Sequence, residues 1–415
     1  MNPHSYVEAH QRGLERFLQR LVSINTVNPP GRNYTELVAI LEQSCRGLGL
    51  QTARYQVPAA EVRKVTGEAD PLPRCNLIAR WDVGARETVH FNAHYDVVPA
   101  AGKWRFGDPF EPAIAGGMLY GRGAGDMKGS IAALLMAVEA VQRSGARPAF
   151  NIECSFTADE ETGGELGAGY IVRKGLVRAD YAVVCEGAAG IRVGLGHNGV
   201  LWLRVSLRGK SAHAANPSDG VNAFEAMAQL VAELGEIKKK LGSPGRGYVD
   251  HAGSRRQPTI NVGGVFAGGE GDKVNTVPAT AVFSIDRRIL PIESVAQAER
   301  ELRTAIKSWS ERHRSVRCRV ERQLRIDPCV VDQRESLPVA FSSAVQSVRR
   351  NAVAFRVTSG FTDLHYFVHD LGLPGVGYGV NGQNVHGVDE RVRIRDLVQT
   401  SKVYVEFMMR GLRPE

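Results

Sequence analysis

The chain has 415 residues, of which 43% are hydrophobic and 23% charged, with a net charge of +8. That length points to two domains. The longest apolar runs are too short to span a bilayer and the basic residues are scattered without interleaved aromatics, so neither a membrane nor a nucleic acid is an expected partner.

The N-terminal stretch reads as an amphipathic helix over residues 8–23, charged throughout and unlike a secretory signal. Six cysteines without a CxxC pair suit free thiols in a reducing cytoplasm. A second helix, "NYTELVAILEQSCRGLGL", closes on glycines; strands follow at "NLIARW" and "TVHFNAHYDVV". On one continuous strand His94 and Asp96 share a face, because side chains alternate. An imidazole backed by a carboxylate is a common metal-site arrangement, and a polar pair capping a strand end is the plainer alternative.

Glycines then crowd Asp126 in "MLYGRGAGDMKGSIAALL", where a helix begins. The spacing does not match the GxGxxG of a dinucleotide site; glycine-rich backbone around one carboxylate suits a residue pressed against a ligand or ion. Next, "CSFTADEETGG" ends a strand on Asp159, Glu160 and Glu161, whose side chains project in different directions. "YAVVCEG" places Glu186 after an apolar strand, where α/β proteins put ligand-binding groups.

After "GHNG" the pattern changes to β-α-β-β-α-β: the alternating strand "VLWLRVSLRGKSAH", a helix, strands at "TINVGGVFAGG" and "ATAVFSIDRRI", a helix and the strand "RCRVERQLRI". This predicts a ferredoxin-like α+β domain over 199–327, inserted into an α/β domain formed by 1–198 and 328–415. The chain returns to helices and strands and presents His386 in the loop "GVNGQNVHGVDE".

Two histidines, one Asp and two Glu of this kind can hold two adjacent divalent ions that share a carboxylate. The ligand set suits zinc, with cobalt or manganese as substitutes. Three carboxylates and a bridging hydroxide balance the ions' charge, leaving a near-neutral site able to ionise water near pH 7. Glu160 stands beside that set as a general base.

In their order along the chain, "HYDVVP", "WRFGDPFEP", "LYGRGAGDMKG", "TADEETGG", "CEG", "GKSAHAANP" and "VHGVDE" resemble the M20 metallopeptidase family, specifically its acetylornithine deacetylase and succinyl-diaminopimelate desuccinylase branch. The resemblance implies a di-zinc exopeptidase-like catalytic domain, a mixed sheet with helices on both faces, with the insertion as lid and dimerisation domain. It implies that His94, Asp126 and Glu186 bind one zinc and Asp126, Glu161 and His386 the other. Asp96 would orient His94 and Glu160 would act as base. His213, in "GKSAHAANP", would reach the partner subunit's site of a homodimer and steady the oxyanion. Asn275 and Arg288 would contact a substrate carboxylate, with Arg287 as the neighbouring alternative on the opposite strand face.

One departure stands out. Where desuccinylases carry a Gly-Gly-Thr type turn, this chain reads "TSGFTDLHYF", so Thr358, Ser359, Gly360 and Thr362 remain as hydrogen-bonding candidates beside the bulky Phe361. The activity implied is removal of an acyl group from a small N-acyl amino acid. A di- or carboxypeptidase, or a hydrolase of an unusual catabolic amide or formamide, is the alternative. A non-catalytic binding protein or a single-zinc enzyme would require a gap in this residue set, and the sequence has none.

Overall fold

Strands covered on both faces read as unbroken apolar runs, and the computed structural model, which describes residues 1–250 and 253–412, builds its first unit around such strands. In chain order they are β1 (Gln51–Gln56), β2 (Cys75–Trp81), β3 (Thr88–His94), β4 (Asn151–Thr157), β5 (Tyr181–Ala189) and β6 (Arg192–His197). The chain then forms a second unit from β7 (Gly199–Arg208), β8 (Thr259–Ala267), β9 (Thr280–Ile289) and β10 (Arg317–Ile326), and returns as β11 (Gly375–Gly379). The first unit comprises Met1–Gly196, Val330–Thr358 and Thr362–Glu415; the second comprises His197–Cys329 and Ser359–Phe361.

The first unit's sheet runs β1-β2-β4-β3-β5-β11-β6 with Cys329–Val330 at its edge. Strands β3, β4, β5 and β11 are mutually parallel along this path, so their carboxyl ends lie along one edge of the sheet. β1 and β2 pair antiparallel, as do β2 and β4, which makes the sheet mixed. On one face of β3, Phe91 packs edge-on to Tyr404 and Phe407 of the C-terminal helix Ile394–Arg410. On the other face His90 lies against Phe367 of the short helical segment Tyr366–Asp370. The sheet is therefore covered on both sides.

The second unit is antiparallel in the order β8-β9-β7-β10. Leu201, Leu203, Val205 and Leu207, alternating along β7, bury one face against Leu230 and Leu234 of helix Ala223–Leu241 and Leu302 and Trp309 of helix Val295–Arg312. This is the ferredoxin-like arrangement the alternation predicts. Among the described residues, no helix is long and apolar enough to cross a membrane.

Two local expectations need correction. The first helical stretch is two helices, Pro3–Ala9 and Gln11–Val22. The strand expected to continue through Asp96 stops at His94: the Tyr95 amide still donates to the Thr157 carbonyl, but Val97 turns away to pair with Val27.

Candidate metal centre

Because β3 ends at His94, strand alternation does not relate His94 to Asp96; the loop does. His94 Nδ1 lies 3.1 Å from the Asp96 carbonyl oxygen and 3.4 Å from its Oδ1. Both atoms are acceptors, which places the ring proton on Nδ1 and turns the Nε2 lone pair toward the open side. Nε2 faces Asp126 Oδ1 at 3.2 Å. The other oxygen of Asp126 faces His386 Nε2, also at 3.2 Å. One carboxylate thus stands between two imidazoles, with one oxygen toward each.

The remaining acids arrive from neighbouring strand ends. After β4 the chain makes a tight turn, Glu160–Thr162, that brings Glu161 Oε2 to 3.1 Å from His386 Nε2 and Glu160 Oε2 to 3.7 Å from His94 Nε2. Glu186, within β5, has Oε2 at 4.0 Å from the same His94 nitrogen. By proximity alone, ligand atoms of His94, Asp126 and Glu161 lie within 4.8 Å of one another, as do those of His94, Glu160 and Glu186. The glycines around Asp126 have a steric reason: a Cβ on Gly125 would sit 2.7 Å from the Gly382 Cα, so the turn bearing Asp126 and the loop leading to His386 can meet only backbone to backbone.

Asp96 does more than face His94. Its Oδ1 accepts from the Glu160 amide at 3.1 Å and its Oδ2 from the Glu161 amide at 3.2 Å. One buried carboxylate therefore joins the end of β3 to the turn after β4.

The electrostatics call for cations. Burial, reinforced at Glu160 by the charge of Glu186, raises Glu160 and Glu186 well above the usual carboxylate range. Burial and then Asp126 push Glu161 up to about 7. Burial opposes ionisation of Asp126 too, but hydrogen bonds with His386 and His94 hold it below its ordinary value. The Asp126 and Glu161 hydrogen bonds in turn raise His386 to about 10. Oε1 of Glu161 and Oε1 of Glu186 are buried without hydrogen-bond partners. A pocket holding more carboxylates than imidazoles, with orphaned carboxylate oxygens, fits divalent cations.

The other residues singled out in the sequence lie elsewhere. His213 is exposed in a short strand of the second unit; its Nδ1 accepts from the Ala215 amide at 3.1 Å, which leaves Nε2 as an N–H donor in the neutral ring. Asn275 is its neighbour there, its carbonyl accepting from the Ala214 amide. On β9, Arg287 is buried against Glu293 while Arg288 is half-exposed beside Asp286, so the two do face opposite ways. Ser359 and Gly360 group with the second unit and Thr362 with the first, where the Thr362 hydroxyl accepts from the Leu364 amide.

Sequence reasoning missed several residues around the centre. Asp363 is buried with Oδ1 unpartnered, and burial pushes it up to about 7. Arg192 and Arg356 line a cavity of about 180 Å³ whose wall includes Asp126 and Glu186. Asn28, Tyr34, Arg74, Arg122 and Glu390 form buried contacts behind the ligands. Glu390 lies in "VHGVDE", Arg122 in "LYGRGAGDMKG" and Tyr34 at the start of the helix "NYTELVAILEQSCRGLGL"; Asn28 and Arg74 carried no local signal.

Residues 90–410 match the model of peptidase family M20/M25/M40. The chain belongs to that family. It is a metal-dependent hydrolase of amide bonds. Among curated relatives it is 28% identical to a succinyl-diaminopimelate desuccinylase from Methylobacterium radiotolerans over 94% of each chain. It is 26% identical to the N-formyl-4-amino-5-aminomethyl-2-methylpyrimidine deformylase of Bacillus subtilis, over 97% of this chain and 95% of the relative. Its fold matches a dinuclear metal-binding peptidase of this family from Bacillus subtilis with a TM-score of 0.64 at 12% identity, covering 98% of this chain and 99% of that one. Metal binding, as membership of this family implies, agrees with the imidazoles and carboxylates gathered at His94 and Asp126.

Proposed function

We propose that the protein removes an acyl group from a small N-acyl amino acid, using two zinc ions. His94, Asp126 and Glu186 would hold one ion and Asp126, Glu161 and His386 the other; imidazole and carboxylate ligands of this kind suit zinc. Bound there, the ions supply Lewis acidity toward the amide carbonyl and toward water. Glu160 is the base: it takes the proton of the attacking water and passes it to the leaving nitrogen. Asp96 holds His94 in the tautomer that offers Nε2. His213, as an N–H donor in the partner's site of a homodimer, steadies the oxyanion. Asn275 and Arg288 bind the substrate carboxylate, Ser359, Gly360 and Thr362 complete the pocket, and the inserted unit acts as lid and dimerisation domain. The free cysteines support a cytoplasmic setting.

The observation that carries this reading is the Asp126 carboxylate placed between His94 and His386, with Glu160 within 3.7 Å of the first imidazole. The arginines in the cavity beside Asp126 and Glu186 suit a substrate that bears a carboxylate. The test is product release from a panel of N-acyl amino acids, dipeptides and formamides with zinc-loaded protein beside Glu160→Gln. Turnover of one N-acyl amino acid, reduced at least about a hundredfold in the variant with zinc content unchanged, is expected for a lost general base. Preference for dipeptides moves the assignment to a peptidase, and preference for formamides to a deformylase, with the same residues.

A further inference from the structure

The turns that carry Asp126 and Glu161 are each fastened from behind by a buried arginine–carboxylate pair. In the first, Arg74 Nε donates to Asp159 Oδ2 at 2.7 Å, with the two side chains only 1% and 4% exposed. Asp159 immediately precedes Glu160 and Glu161 and holds a left-handed backbone conformation (φ 59°), sparsely populated by non-glycine residues. Its Oδ1 accepts from the Tyr34 hydroxyl at 2.8 Å and from Asn28 Nδ2 at 3.1 Å. Asn28 Nδ2 also reaches Asp96 Oδ2, at 3.3 Å, and Thr162 Oγ1, at 3.0 Å. In the second pair, Arg122 Nη1 donates to Glu390 Oε2 at 2.5 Å, the side chains being 2% and 0% exposed. Glu390 Oε1 accepts the backbone amides of Gly125, at 2.9 Å, and Asp126, at 3.0 Å. Glu390 closes the loop that carries His386, so this pair ties the Asp126 turn to the His386 loop.

Buried ion pairs are poor devices for stability, because desolvation offsets most of the Coulomb gain. Their value lies in geometry: each carboxylate oxygen fixes a particular backbone or side-chain group. A metal centre places narrow limits on ligand positions, and groups behind the ligands supply that constraint. We infer that Arg74 and Arg122 are positioning residues, the Arg74–Asp159 pair setting the Glu160–Glu161 turn and the Arg122–Glu390 pair setting Asp126 against the His386 loop. The inference rests on the metal-centre reading above.

The test titrates metal-free full-length protein with Co²⁺ alone, following stoichiometry, affinity and the visible d–d spectrum, beside kcat and KM of the zinc-loaded protein. The variants are Arg74→Met, Arg122→Met and, as a control, Arg80→Met, which breaks another ion pair to a buried carboxylate, Glu153, touching none of these turns. Both clamp variants are expected to weaken at least one Co²⁺ site by about tenfold or more, to change its spectrum, and to lower kcat with little change in KM. Arg80→Met is expected to lower unfolding stability while keeping both Co²⁺ sites. Should Arg74→Met fail to fold, Tyr34→Phe carries the test: it keeps the ion pair and removes one hydrogen bond to Asp159, and a smaller loss of affinity in the same direction is expected. Clamp variants with wild-type Co²⁺ affinity and spectrum overturn the inference, as does an equal loss of affinity in Arg80→Met. A wild-type protein that takes up no Co²⁺ overturns the metal-centre reading itself, and the inference with it.

Discussion

Glu153 keeps a negative charge in a place almost without water. Its side chain is 1% exposed, with His90 Nδ1 at 2.7 Å from Oε1 and Arg80 Nε at 2.5 Å from Oε2. Burial alone would raise its pKa, but the hydrogen bond and charge of His90, the Arg178 amide and the charge of Arg80 outweigh it and bring the pKa down to about 2, against an ordinary 4.5. A carboxylate whose pKa falls on folding contributes stability above its unfolded value and loses it as pH drops through the folded one. The window is therefore about pH 4.5 to 2, and the contribution at neutral pH is on the order of 3 kcal/mol. Glu153→Gln should unfold at a lower urea midpoint than wild type at pH 7, and the gap should narrow steadily as the pH is lowered through that window. A gap that stays constant with pH would mean that shape, rather than charge, holds this site. From His90 the polar contacts continue along the same face: His90 to Ser155, Ser155 and Thr157 to Asn92, and Thr157 to Asp363 near the candidate metal centre.

At the scale of elements, the core face of the sheet rests on aromatic packing against the C-terminal helix. Phe407 lies with its ring centroid 4.8 Å from Phe341 and 5.1 Å from Phe150 and is fully buried. Truncating it removes packing from Phe341 of helix Ser336–Arg349, from Phe91 of β3 and from Phe150 just before β4, so Phe407→Ala should cost about 3–5 kcal/mol, read by urea denaturation. A cost below about 1 kcal/mol would mean that the rings around it collapse into the space. Helices and strands of this kind were legible in the sequence because their apolar spacing is local. So were the candidate residues of the site: Asp126, Glu160, Glu161 and His386 stand in short polar or glycine-rich breaks, while His94 and Glu186 are polar residues met in apolar strand patterns. Where β3 ends was not legible, since "HYDVV" keeps an alternating pattern after the chain has left the sheet; only the bridge from Val97 to Val27 shows the departure. Nor could sequence spacing expose Arg74, Tyr34 and Asn28, which meet Asp159 from 85 to 131 residues away. An arginine before a strand and an asparagine before two prolines look like surface residues until the topology encloses them.

At the scale of the whole molecule, the question is which chain completes which site. Each unit has its own buried core, one around the mixed sheet and one around the ferredoxin-like sheet, so a substitution in one need not disturb the folding of the other. That independence makes a complementation experiment clean. Glu160→Gln removes the proposed base in the first unit, and His213→Ala removes the proposed oxyanion donor in the second; each variant alone should have little activity. If His213 serves the partner's site in a homodimer, a mixed dimer of the two variants contains one site with Glu160 from one chain and His213 from the other, and a second site with neither. Unfolding and refolding an equimolar mixture gives random assortment, in which half of the dimers are mixed and half of their sites are whole, so activity should recover to roughly a quarter of wild type. If His213 serves its own chain, every site in every dimer lacks one residue and nothing recovers. Sedimentation of the same samples supplies the remaining condition: a monomer at micromolar concentration removes the partner altogether, and His213 would then have to act within its own chain or not at all.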